Sequence, residues 1–183
     1  MKSEFAPGSQ QGHLDGLCGV YASVNALGVL YGRRKGMGEL RQNMFNAAID
    51  YLNANGELSG SLKGGMLFRK MRQVCKVSAE VFEQNSGRSV NIRNTSRSDI
   101  ALSDFVKLID EHLFMDEKRS VIVGMSGKYD HWSVIKRISN NRIYFIDSDG
   151  LKYINRKNAT TANPQLRGRT TSFWPTQTLL LSA

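Results

Sequence analysis

Three short runs of β-branched and aromatic residues follow one another near the middle of the second half: SVIVGM at 120–125, HWSVIKRI at 131–138 and RIYFID at 142–147. The Ser-Asn-Asn at 139–141 is turn chemistry between the last two. These runs predict adjacent antiparallel strands, and LKYI at 151–154 continues the sheet. Earlier in the chain the period is helical. Val20, Val24, Leu27 and Leu30 mark one helix. Leu40, Met44, Ala47, Ala48 and Tyr51 mark a second, and residues 66–76 a short third. A strand is expected at 77–82, and SGSLKGG reads as loop. Residues 83–98 are polar and read as loop with room for one short strand. Ser98 is a candidate cap for a helix whose apolar face is Leu102, Phe105, Val106, Ile109 and Leu113. Helices first and antiparallel strands later is an α+β layout.

The 183 residues suit one domain, 1–183, and no composition shift marks a boundary. With 40% hydrophobic and 22% charged residues the chain can bury a core. No apolar run approaches the roughly 20 residues that span a bilayer, and the first residues, MKSEFAPGSQQGH, lack the apolar core of a secretory signal. The expected setting is therefore cytoplasmic, with no membrane partner. The formal charge of +9 favours acidic partners. Its basic residues are scattered in pairs and short clusters, with no recognition motif and little interleaving with aromatics, which disfavours a nucleic-acid-binding module.

Two cysteines, Cys18 and Cys75, make neither a disulfide framework nor a CxxC metal signature. Two free thiols are the expectation. Cys75 falls in an apolar helical pattern with Met71 and Val74 and reads as core. Cys18 lies between Gly16 and Gly19 at the start of a helix. The unpaired N–H groups and dipole of a helix N-terminus favour a thiolate, and Gly19 would let a substrate approach closely. A thiol nucleophile needs a base. Of His13, His112 and His131, the first sits on an irregular lead-in and the second reads as an ordinary boundary residue on a helix. His131 opens a strand beside the loop SGKYD. Folding the hairpin brings the end of its second strand, Asp147, beside His131, with Asp149 as the fallback acceptor. An asparagine at 147 would also be able to orient the ring. The Cys18 backbone N–H and the amide of Gln11, or alternatively Gln10, are candidate oxyanion donors. No standard ligand spacing supports zinc on His13, Cys18 and His131, so no metal or cofactor is expected.

A glutamine, then Cys-Gly at a helix start, then a distant His-Trp, then Asp at the end of the next strand resembles the papain-like cysteine peptidase superfamily. LCGVYASVNAL and HWSVIKRISNNRIYFIDS are similar to two branches of it: the bacterial C39 peptidases, which cut after double-glycine leader sequences, and the Josephin-type deubiquitinases, whose histidine is also followed by Trp. The order Cys, His, Asp matches both. It does not match the ubiquitin-like-protein proteases, which place the cysteine last. The likeness covers mainly residues 10–30 and 120–150, and both glutamines lie further upstream of the cysteine than these families usually hold it. The resemblance implies a papain-like fold and a cysteine protease of Cys18, His131 and Asp147, with cleavage after glycine if the C39 likeness extends to specificity. A deamidase or acyltransferase acting on side-chain amides would use the same groups. Size and charge are also similar to toxin domains delivered by type VI secretion into a rival cell's cytoplasm, which implies a protein substrate and an acidic immunity protein as partner.

Overall fold

A computed structural model describes residues 8–10, 16–95, 98–115, 118–161 and 170–183. Four helices come first: α1 (Cys18–Tyr31), α2 (Met37–Ala54), α3 (Leu58–Gly64) and α4 (Phe68–Ser86). The rest is β1 (Asn91–Asn94), α5 (Leu102–Phe114), β2 (Arg119–Gly127), β3 (His131–Ile138), β4 (Arg142–Ile146), β5 (Tyr153–Asn155), β6 (Ala159–Thr160) and β7 (Thr171–Ser182). The strands form one sheet in the order β1-β7-β2-β3-β4-β5. All neighbours on that path are antiparallel, and β6 runs parallel to β7. The layout is α+β.

Side chains alternate across a strand, and here both faces are covered. Ile122, Trp132, Val134, Ile146 and Leu179 join α1, α2 and α4 in one apolar cluster. Val121, Val123, Ile135, Phe145 and Phe173 join Phe105, Val106 and Ile109 of α5 in the other. That is why SVIVGM reads as a continuous apolar run instead of an alternating one. Helix α1 lies between the sheet and α2 and α4, so it is buried on nearly every side. Its first residue is thereby fixed against the sheet.

Three local expectations are corrected. Residues 77–82 are not a strand: Met71, Val74, Cys75, Ser78, Ala79 and Phe82 share one buried helical face, and α4 runs on to a left-handed glycine cap at Gly87. SGSLKGG is largely helix, the body of α3. Ser98 does not cap α5, which starts after the extended Ala101. One element is not anticipated at all: β7, a twelve-residue strand between β1 and β2 that periodicity does not reveal. Its pairing with β2 jumps from Val123↔Thr178 to Gly124↔Trp174, so Pro175, Thr176 and Gln177 are extra residues that break the alternation. The missing N–H of Pro175 costs no ladder bond there, and its carbonyl accepts the Thr95 hydroxyl.

Candidate active site

Cys18 is the first residue of α1 and is 7% exposed. Two glycines place it, for different reasons. Gly16 donates its N–H to the Leu62 carbonyl at 2.8 Å. A Cβ on Gly16 would lie 2.5 Å from the Ser61 carbonyl oxygen and 2.8 Å from the Gly65 nitrogen, both backbone, so only glycine lets the chain pass the end of α3. A Cβ on Gly19 would meet the Met66 and Met71 side chains at 2.9 and 3.3 Å. Gly19 therefore serves close packing of α1 on the 66–71 segment, not the approach of a substrate. The N-cap residue, Leu17, makes no side-chain cap bond, and the positive end of the helix dipole lies at the thiol's end of α1.

His131 is the first residue of β3. The Val134↔Ile146 register of the hairpin carries Asp147 to the His131 end. His131 Nε2 lies 2.8 Å from Asp147 Oδ2, with side chains only 13% and 1% exposed. Burial opposes a charged ring. The hydrogen bond and charge of Asp147, with a further contribution from the Cys18 side, outweigh it and raise His131 from 6.5 to about 10. With Nε2 committed to Asp147, Nδ1 is the ring nitrogen left for another partner, while Cys18 Sγ lies 4.0 Å from the Gly16 carbonyl.

Asp147 is held by four donors. Ser133 donates its hydroxyl to Oδ2 beside His131, and the backbone N–H groups of Asp149 and Leu151 donate to Oδ1 at 2.8 and 3.0 Å. Burial alone would push this carboxyl up; the His131 and Ser133 bonds, the ring's charge and the Leu151 N–H hold it below its ordinary value. Asp149, the fallback, is exposed and contributes its backbone N–H to Asp147.

Further residues brace the site. Trp132 donates its indole N–H to the Met66 carbonyl at 2.8 Å and stacks on Phe68, with ring centroids 6.1 Å apart. It ties the strand of the histidine to the segment packed on Gly19. Asn25, buried inside α1, accepts the Ser9 N–H at 2.6 Å and donates to the Ser9 carbonyl at 3.1 Å. Gln10, the next residue, donates its amide to the Asp147 carbonyl at 3.2 Å. This amide is thus engaged at Asp147. Gln11 and His13 lie outside the described residues. Ser133 and Asn25 were absent from the sequence reading, although each is a polar residue inside an apolar run, HWSVI and SVNAL.

His112 is not a boundary residue but a buried one, 6% exposed. Arg119 donates to its Nδ1 at 3.3 Å, so its Nε2 carries the proton donated to the Leu181 carbonyl at 3.1 Å. Burial first, then the charges of Arg119 and Arg93, hold it below its ordinary value despite that backbone bond. Cys75 is fully buried, and burial pushes its thiol up to about 12, opposed in part by the neighbouring Ser23 hydroxyl. Both cysteines are free. Among the described residues no three His, Cys, Asp or Glu side chains cluster as metal ligands, and no helix is long and apolar enough to cross a membrane. No family model, curated protein or solved structure matches the chain.

Proposed function

We propose that the protein is a papain-like cysteine protease with Cys18 as nucleophile, His131 as acid and base, and Asp147 as the group that orients the ring. The observation that carries this reading is the His131 Nε2–Asp147 Oδ2 bond of 2.8 Å, made by a ring that the Cys18 side also helps to raise. Cys18, as thiolate, attacks the scissile carbonyl carbon. Backbone N–H groups of the first turn of α1 face the oxygen as it gains charge. His131 Nδ1 then gives its proton to the leaving amine and the C–N bond breaks. Water attacks the resulting thioester while Nδ1 takes one of its protons; the C–S bond breaks, releasing the acid and restoring the thiolate–imidazolium pair. Trp132 and Ser133 touch no reacting atom and act as positioning residues.

The test compares wild type with Cys18→Ala in a bacterial lysate, reading new protein N-termini across the proteome. New termini with wild type alone support proteolysis. Glutamine-to-glutamate conversion without new termini would move the activity to side-chain amides. Neither change would overturn the hydrolase reading.

A further inference from the structure

Beyond Asp147 the surface is one-signed. A groove of about 610 Å³ holds His131, Asp147, Lys152 and Tyr153. A second, of about 860 Å³, shares Asp147, Lys152 and Tyr153 and extends to Arg137 and Tyr144. A third, of about 1200 Å³, shares Tyr144 and continues to Arg142, Arg156 and Lys157. The three form a track from the catalytic histidine along β4 and β5, the last strand on that side of the sheet. Among the described lining residues, every carboxylate (Asp130, Asp147 and Asp149) lies at the histidine end. Around Arg137, Arg142, Arg156 and Lys157 the described lining residues of the outer part include no carboxylate beyond Asp147.

We propose that this edge is a docking groove for an acidic segment of the protein substrate, which it leads to His131. Calling the occupant substrate rests on the protease reading; the groove's preference for an acidic chain does not. The arginines are prepared for carboxylates. Arg137 lies 3.5 Å above the Tyr144 ring centroid, and Arg142 lies 4.2 Å above that of Tyr153. Arg142 also donates its Nε–H to Asn155 Oδ1 at 3.3 Å; a guanidinium placed over a ring in this way has less freedom left to lose when its terminal N–H groups take a carboxylate. The same stacking disfavours single-stranded nucleic acid, whose bases stack on open aromatic faces. Each tyrosine is already flanked by a guanidinium and by the other tyrosine, 6.0 Å away.

The test uses the Cys18→Ala protein, a short fluorescent Glu-rich peptide, and single-stranded RNA and duplex DNA, all at physiological salt. Charge reversal at Arg142, Lys152 and Lys157 should weaken peptide binding by roughly tenfold or more. A Lys152→Glu/Lys157→Glu variant, which leaves both stacks intact, should show a smaller loss in the same direction. Reversal of Lys63, Arg69 and Lys76, exposed elsewhere, should have little effect. Equal losses in the two triple variants would show diffuse net charge and overturn the proposal. So would absent peptide binding, or nucleic acid binding more tightly than the peptide. Alkylation of Cys18 in the same variants on a wild-type background reports the thiol centre separately, so failure of the groove and failure of the protease reading remain distinguishable.

Discussion

Replacing Asp147 by asparagine changes one acceptor into a donor with almost no change of shape. In the native site Oδ1 serves the N–H groups of Asp149 and Leu151, and Oδ2 serves His131 and Ser133. An amide offers one accepting oxygen and one donating nitrogen. With its oxygen toward the loop, both backbone donors stay satisfied and Ser133 can turn its hydroxyl to accept. The opposite orientation strands two backbone N–H groups at about 1–3 kcal/mol each, so the first is favoured by roughly 2–6 kcal/mol. The amide then donates to His131 Nε2. A neutral ring so held carries its proton on Nδ1 and cannot take one from the thiol. A tautomer fault of this kind costs about 10⁴ in turnover, so asparagine does not substitute for the orienting carboxylate. Loss of the Asp147 charge also pulls His131 down from about 10. Long-range proton–nitrogen correlation spectra of the ring at neutral pH are the assay. They should show both nitrogens protonated in wild type and Nδ1 alone protonated in Asp147→Asn, with slowed alkylation of Cys18. A variant ring still protonated at Nε2, with unchanged Cys18 reactivity, would refute the reasoning.

Gly16→Ala should lose both stability and thiol reactivity, because its Cβ would meet backbone atoms that cannot turn aside; thermal unfolding and alkylation check this together. Cys75→Ala should keep full reactivity at Cys18 and lose about 1–2 kcal/mol of stability in urea unfolding, as expected for a buried side chain cut back by one atom. His112, held below its unfolded value of about 6.5, contributes stability that is present above that pH and is lost as pH falls from there through its folded value. Urea curves of His112→Gln should therefore lose part of the wild-type acid slope; an identical slope would contradict the assignment.

How far the sequence exposes this fold depends on where each residue's partners lie. The β3–β4 hairpin is local, so its turn and runs place Asp147 beside His131 without knowledge of the rest. Helix α1 is legible because its apolar spacing is regular. By contrast, β7 pairs with β1 and β2 far along the chain, and the extra residues at Pro175–Gln177 hide its alternation. The role of Gly19 was misread because Met66 and Met71, which crowd it, are distant in sequence. His112 was misread for the same reason, since its carbonyl partner is Leu181. Ser133 was open to detection: it lies two residues from His131 on a strand, hence on the same side, in an otherwise apolar stretch.

The central claim is that His131 activates the Cys18 thiol. The most direct measurement is the rate of iodoacetamide modification at Cys18 near neutral pH, followed by intact mass and peptide mapping, in wild type and His131→Ala. Cys18 should react far faster than Cys75, which burial holds near 12, and loss of the imidazole should slow Cys18 by roughly tenfold or more. Equal rates at Cys18 with and without the imidazole would contradict the account.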